Sequence, residues 1–119
     1  MPPGQSRHRW RDYRTRSGRR PVRDFIDGLS DVDATAVVAA MKDVQVHGVR
    51  VARHLAGDIY EVRAVGDRQT FRVLFSREGR RGQALLALHA FSKKSRATPP
   101  QAIRLAQIRL AAWREQGES

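Results

Sequence analysis

The stretch IYEVRAVGDRQTFRVLFSR, residues 59–77, contains two runs of alternating apolar and polar residues on either side of the turn GDRQ. Alternation with a period of two is typical of β-strands, so this stretch predicts a hairpin of strands 59–65 and 70–77. A second turn, EGRRG, leads into an apolar run at residues 84–91, which predicts a third strand. Strands joined by such short turns must be antiparallel, so residues 59–91 predict a three-stranded meander.

The sequence before the meander predicts one strand and a pair of helices. Residues 8–15 alternate roughly and predict the strand. Apolar residues at helical spacing predict a short helix that begins at Pro21. A second helix is predicted to begin at Ser30 or Asp31 and to end at Gly48, which makes a helical hairpin.

After the meander, the sequence predicts one last helix. Thr98 is expected to cap it, Pro99 to occupy its first position and Gln101 to complete a capping box. The order of elements predicts an α+β fold, with an antiparallel sheet of about four strands, an N-terminal helical hairpin and a C-terminal helix. We expect residues 8–116 to form a single domain and residues 1–7 to form a flexible tail.

Charge is the most informative part of the composition. The 119 residues include 23 basic and 12 acidic ones, a formal net charge of +11, and nearly all the basic residues are arginine. Arginine makes bidentate contacts with phosphate, so this balance favours nucleic acid or the ribosome as a partner, and an acidic protein partner is compatible with it. The chain has no cysteine, which excludes disulfides and cysteine-based sites. No apolar run is long enough for a membrane span, and we expect a cytoplasmic protein.

Two arginines of the predicted hairpin are candidates for anion binding. If the turn is formed by residues 66–69, then Arg63 lies directly opposite Arg72, where like charges repel. Such a conflict is tolerated more easily when an anion lies between the two side chains. Because Phe71 and Val73 alternate toward the core, Arg72 is expected on the open side of the sheet. The alternative is a solvated sheet face with ordinary arginines.

Further candidates lie near the end of the third strand. Lys93, Lys94 and Arg96 follow it closely, and a loop there can present them to phosphate, although a basic turn can also serve solubility alone. The sequence does not decide whether His89 shares the face of Arg72, and a lone strand histidine is more often structural than catalytic. Glu61 is on the face of Arg63. It is a general base or, as we favour, the salt-bridge partner of Arg63 or Arg53.

The N-terminal run at residues 7–23 interleaves Trp10 and Tyr13 with arginines. Such a mixture is what single-stranded RNA binding needs, but the aromatic residues can equally belong to the core. We favour the core for the aromatic residues and phosphate contact for some of the arginines. Carboxylates are sparse near the meander, which argues against a two-metal nuclease, and the histidines have no metal-ligand spacing. The sequence also has no phosphate-binding glycine loop before a helix and no nucleophile elbow. We therefore expect no metal or other cofactor.

Several of these motifs together resemble a known family. The resemblance is to the phage-derived HigB-like toxins of the RelE/ParE superfamily. The segments that carry it are LAGDIYEVR at 55–63, FRVLF at 71–75, LHAFSKKS at 88–95 and Thr98-Pro99. The resemblance covers roughly residues 8–115. It implies a RelE-like, microbial-RNase-like fold with a curved sheet. It also implies the toxin of a type II toxin–antitoxin system, an mRNA interferase that cleaves mRNA on the ribosome. In that chemistry a ribose 2′-OH attacks the adjacent phosphate without a metal.

The resemblance also assigns roles to residues. It implies that Arg72 clamps the scissile phosphate, that Lys94 neutralises developing charge, and that Arg63 lies near the substrate. We expect three more cations to contact RNA: Lys93, Arg53 and Arg96. Many RelE relatives have a tyrosine after the basic pair, and none follows here, which leaves the general base open. The candidates are, in order, His89, Glu61 and His54.

The partners implied by the resemblance are mRNA on the ribosome and a cognate antitoxin. In HigB-like systems the antitoxin typically carries a helix-turn-helix, so operator DNA is expected to be bound only through the toxin–antitoxin complex. Two alternatives stay open: a ParE-like toxin that inhibits DNA gyrase, and a non-catalytic basic nucleic-acid-binding domain.

Overall fold

The computed structural model describes residues 8–94 and 96–117, and within them three α-helices cover the two faces of one five-stranded sheet. The strands are β1 (Arg9–Asp12), β2 (Arg53–Ala56), β3 (Ile59–Val65), β4 (Thr70–Glu78) and β5 (Ala84–Lys93). The helices are α1 (Pro21–Asp27), α2 (Asp31–His47) and α3 (Pro100–Glu115), with a short 3-10 helix at Gly48–Val51. The tail expected at residues 1–7 lies outside the described residues. Of the described helices, none combines the length and the apolar character needed to cross a membrane.

The strands lie in the order β1-β5-β4-β3-β2. The antiparallel meander of β3, β4 and β5 is confirmed. The expectation of about four strands in a wholly antiparallel sheet was wrong, because β2 adds an edge strand beside β3 and β1 pairs with β5 in parallel. The strand β2 has only four residues and no apolar alternation, so nothing in its sequence distinguishes it from a loop.

Side chains that alternate along the strands form two cores, one on each face of the sheet. The larger core lies under α1 and α2, and its buried side chains include Val22, Val37, Val44, Val62, Phe71, Val73, Phe75 and Leu85. The second core lies under α3, and it is formed by Ile59, Leu74, Leu86, Leu88, Ala102, Ala106, Leu110 and Trp113. The central strands are therefore covered on both faces. The packing of α3 determines how much of the second face is exposed to solvent.

The two predicted helix starts differ in outcome. Ser30 caps α2 as expected, since its hydroxyl accepts a hydrogen bond from the Asp33 amide at 3.2 Å. The cap predicted for α3 was wrong by one residue, because Pro99 occupies the cap position without a side-chain hydrogen bond. The hydroxyl of Thr98 instead donates to the carboxylate of Glu61 on β3. Thr98 therefore ties the start of α3 to the sheet.

Candidate functional site

The β3–β4 hairpin has the register that the sequence predicts. The Gly66 amide donates to the Gln69 carbonyl at 2.8 Å and closes the turn, and Arg63 lies directly opposite Arg72. On the neighbouring strand β2, Arg53 lies opposite Glu61, which places it on the same sheet face. The face that α3 covers therefore carries three arginines on adjacent strands: Arg53, Arg63 and Arg72. We call them the arginine cluster.

Residues 96–98, which connect β5 to α3, lie across this cluster. The Arg72 guanidinium donates from Nη1 to the Ala97 carbonyl at 2.9 Å, and Arg63 donates from Nη2 to the Arg96 carbonyl at 2.5 Å. Together with the bond from Thr98 to Glu61, these contacts fix the connecting segment, residues 96–98, over the arginines. Two backbone carbonyl oxygens therefore occupy positions where an anion would meet the guanidinium donors.

The connecting segment changes the expected accessibility of the site. Arg72 was expected on the open side of the sheet, and this was wrong, because its side chain is buried beneath the segment with 1% of its surface exposed. Glu61 is buried too, and it accepts from Arg63 Nε at 2.8 Å through one carboxylate oxygen and from Thr98 through the other. This arrangement agrees with the favoured interpretation of Glu61 as an ion-pair partner. It does not suit a general base.

Electrostatics in the cluster favour an added negative charge. Burial lowers the pKa of Arg72, and the positive charges of Arg63 and Arg53 lower it further, while Glu61 raises it. Arginine stays protonated in proteins, so three cations share one carboxylate, and the group carries an excess of two positive charges. The cluster can bind an anion and cannot itself transfer a proton. In the part of the chain described, no three His, Cys, Asp or Glu side chains are grouped to hold a metal ion.

A bulge in β5 decides the position of His89. Leu74 pairs with His89 but Phe75 pairs with Ala87, so Leu88 is an extra residue, and the residues beyond it change faces. His89 therefore shares the face of Arg72, as a diagonal neighbour across the β4–β5 pair at a Cα separation of about 7–8 Å. Burial, followed by the charge of Arg109, lowers the pKa of His89 and favours the neutral imidazole at neutral pH.

The two lysines lie at the same end of the sheet as Arg63 and Arg72. Lys93 pairs with Thr70 and is half-buried on the α3 face. Lys94 is exposed and, together with the β3–β4 turn and its Arg68, lines a cleft of about 350 Å³. The side chain of Arg96 is also exposed, although its carbonyl accepts from Arg63. These cations, unlike Arg72, are accessible to a large ligand.

Other residues were misplaced or missed by the sequence. His54, the third candidate base, lies beside Tyr60 on the opposite face, with the two ring planes tilted by 57°, and its Nε2 lies 2.6 Å from the Gly57 carbonyl. The roles of Thr98 and Arg109 were missed. The sequence predicts Thr98 as a helix cap and as part of the family motif, and neither role predicts its bond to Glu61. Arg109 belongs to the pattern of the last helix that resembles the family, but its position beside His89 depends on how α3 packs, which no local pattern predicts. Its guanidinium donates to the Leu88 carbonyl at 2.7 Å.

Residues 24–111, about three quarters of the chain, match the family model described as "Phage derived protein Gp49-like (DUF891)". The matched region runs from α1 to α3 and includes the whole arginine cluster with its connecting segment. No curated protein is similar enough in sequence to add to this match.

Proposed function

The chain belongs to the Gp49-like family of phage-derived proteins, and from this premise we propose that it is the toxin of a type II toxin–antitoxin system, an endoribonuclease that cleaves mRNA on the ribosome. Family membership is consistent with a toxin in general terms. The observation that carries the nuclease proposal is the direct pairing of Arg63 with Arg72 beside Arg53. Their excess positive charge suits the phosphate of an RNA chain.

In the proposed reaction the ribose 2′-OH attacks the adjacent phosphorus, and the bond from phosphorus to the 5′ oxygen breaks. The products are a 2′,3′-cyclic phosphate and a 5′-OH end. The phosphate gains negative charge in the transition state, and fixed guanidinium donors stabilise it without reorganisation. Arg63 is the partly exposed donor for this step, with Arg72 beside it on β4. Lys93 and Lys94 neutralise the charge of the leaving oxygen, which takes its proton from water. No metal enters this chemistry.

His89 is the proposed proton acceptor for the 2′-OH. Its lowered pKa keeps the imidazole neutral at pH 7, which is the form that a general base needs. It lies on the same face as Arg63, Arg72 and Lys93 and is only half-buried. Its stacking on Phe91, with ring centres 5.1 Å apart, holds the ring in place. Glu61 remains the ion-pair partner that orients Arg63.

Access to Arg72 requires the connecting segment to move. The carbonyls of Arg96 and Ala97 accept the same guanidinium donors that a phosphate would use. A phosphate oxygen is a stronger acceptor because it is charged, so it competes favourably with a neutral carbonyl. We therefore expect substrate to displace residues 96 and 97 from the arginines. A cognate antitoxin, proposed to carry a helix-turn-helix, would restrain the toxin and bind operator DNA only in the complex.

The test is tightly controlled expression in bacteria with mRNA 5′ ends mapped after induction. Arg72 is a poor choice for the key variant, because replacing a buried arginine also lowers stability. The double variant Lys93→Gln/Lys94→Gln changes accessible cations instead, and we expect it to reduce cleavage by roughly a hundredfold. Arg50→Gln/Arg80→Gln, with the same loss of charge at exposed positions outside the site, is the matched control and should cleave like the wild type.

Three results would contradict the proposal. Growth arrest without new 5′ ends points to a gyrase-type toxin. No effect of the wild type on growth points to a non-catalytic binding domain. Equal loss of cleavage in the double variant and in the control shows that total charge matters and the lysines do not.

A further inference from the structure

A second cationic feature lies at the other end of α3, outside the site described above. The end of β1, the loop that follows it and the last turns of α3 enclose a cleft of about 650 Å³. Four arginines line it: Arg11, Arg14, Arg16 and Arg20. One carboxylate, that of Asp12, also lines it. The lining therefore carries an excess of three positive charges, more than the arginine cluster.

The backbone that carries these arginines is well fixed. The loop closes through a hydrogen bond from the Thr15 amide to the Arg19 carbonyl at 2.8 Å and one from the Gly18 amide to the Thr15 carbonyl at 2.9 Å. Gly18 has φ +89°, a conformation that favours glycine. The Arg19 amide also donates to the Thr15 hydroxyl at 3.0 Å. The backbone of the loop is therefore fixed before any ligand arrives, and only the side chains have to be ordered on binding, which lowers the entropic cost.

Two of the four arginines serve structure, and two are available. Arg20 donates to Asp12 at 2.5 Å, and the Arg11 guanidinium lies 5.8 Å from the centre of the Trp113 ring. By contrast, among the described residues the exposed side chains of Arg14 and Arg16 make no hydrogen bond or ion pair. Their guanidinium groups offer parallel N–H donors that match phosphate oxygens.

The aromatic residues of the cleft are not available to stack on bases. Trp113 is 5% exposed and packs in the core under α3, with Arg11 over its ring. Tyr13, next to the cleft, has the Arg109 guanidinium 5.6 Å from its ring centre. Stacking platforms are what single-strand readers of bases use. A cleft of guanidinium groups without such a platform suits phosphate groups and not base identity.

We propose that this cleft binds the phosphate backbone of RNA, as a second contact apart from the arginine cluster. From Pro100, next to the connecting segment, to Trp113 the axis of α3 extends about 20 Å. An RNA strand held at both ends of α3 would be positioned across the face that carries the proposed cleavage site. The choice of RNA as the polyanion rests on the proposed function, whereas the phosphate contact rests on the cleft itself.

The test is fluorescence anisotropy with a labelled, fully 2′-O-methylated RNA 12-mer, titrated over a series of KCl concentrations. This RNA lacks the attacking hydroxyl, so binding is measured whether or not the protein is a nuclease. The variant is Arg14→Gln/Arg16→Gln, and Arg50→Gln/Arg80→Gln is the control with equal loss of charge. For the cleft variant we expect roughly tenfold weaker binding. A plot of the logarithm of the association constant against the logarithm of the KCl concentration should have a slope that is smaller in magnitude by about 1.4, because each of the two lost phosphate contacts contributes about 0.7. The control should change far less.

The possible outcomes separate the two proposals. Equal affinity and equal slope in the cleft variant and the control would overturn the second RNA contact. So would tighter binding of poly-glutamate than of RNA through Arg14 and Arg16, because the cleft would then be a site for acidic protein. If the cleft variant loses RNA binding as expected while the wild type fails to cleave mRNA in cells, the cleft stands and the nuclease proposal fails.

Discussion

At the scale of single residues, Glu61 explains how two arginines can face each other within a hairpin. Its buried carboxylate accepts from Arg63 and from Thr98, and its charge favours the protonated form of Arg72. The carbonyls of residues 96 and 97 satisfy further guanidinium donors. The conflict visible in the sequence is therefore offset by one charge and by the connecting segment, and an excess of positive charge remains.

Glu61→Gln should destabilise the protein by about 3 kcal/mol, because it removes one partner of a buried ion pair and leaves the arginines without their carboxylate. Urea unfolding measures this loss. Sulfate should restore more stability to this variant than to the wild type, because a bound anion replaces the missing charge. Asp27→Asn, which changes an exposed carboxylate at the end of α1, is the control for the general effect of sulfate on folding. Equal sulfate gains in both variants would contradict an anion site at the arginine cluster.

How much of the site could be predicted depends on the range of the interactions. The pairing of Arg63 with Arg72 follows from turn length alone, and it is confirmed. The burial of Arg72 could not be predicted, because it depends on residues 96–98, more than twenty positions later in the chain, crossing the sheet. The face of His89 depends on a single bulge in β5, for which the apolar run gives no signal.

At the scale of elements, two kinds could be predicted from the sequence: the strands that short turns connect, and the long helices. The edge strands of the sheet could not be predicted. The meander and α2 carry clear periodicity, so local pattern and final structure agree. The strand β1 forms its parallel pair with a strand more than seventy residues away, and nothing local selects that partner. Neighbouring apolar residues of α2 also differ in burial, since Val37 is fully buried and Val38 is exposed.

The C-terminal end of α3 is held by one arginine. Arg114 donates from Nε and Nη2 to the buried carboxylate of Glu78 on β4, at 3.0 and 2.8 Å, and from Nη2 to Asp58 at 3.0 Å. The pKa of Arg114 is raised, mainly by the hydrogen bond to Glu78. This contact joins the helix to β4 and to the turn between β2 and β3.

Arg114→Gln should lower the free energy of unfolding by about 1 to 2 kcal/mol, because Glu78 stays buried without its cation. The value lies at the lower end for a charged pair, since Arg114 is 45% exposed and solvent screens part of the interaction. Arg114→Lys should recover part of the loss. Arg104→Gln, on the exposed side of the same helix, should change stability by no more than about 0.5 kcal/mol. Equal urea midpoints for Arg104→Gln and Arg114→Gln would refute the role of Arg114.

At the scale of the whole molecule, the protein is a sheet with a core on each face, and both proposed RNA contacts lie along α3. The core under α1 and α2 is larger, and α3 covers the second face with a smaller apolar set. The arginine cluster lies at the start of this helix, and the arginine-lined cleft lies at its end. How firmly α3 packs therefore determines the geometry of both.

The chain's two tryptophans report on the two cores separately. Trp10 packs in the core under α1 and α2, with its indole N–H bonded to the Met41 carbonyl at 2.7 Å, whereas Trp113 packs under α3. Neighbouring residues of the same strands enter opposite cores, so the loss of either core weakens the sheet against which the other core packs. We therefore expect two-state behaviour.

In Trp10→Phe and in Trp113→Phe, the urea midpoint from tryptophan fluorescence should equal the midpoint from far-UV circular dichroism of the same variant. A fluorescence midpoint in Trp10→Phe well below the circular dichroism midpoint would show that α3 detaches first. In that case α3 as a whole, and not only residues 96–98, would open the arginine cluster to RNA.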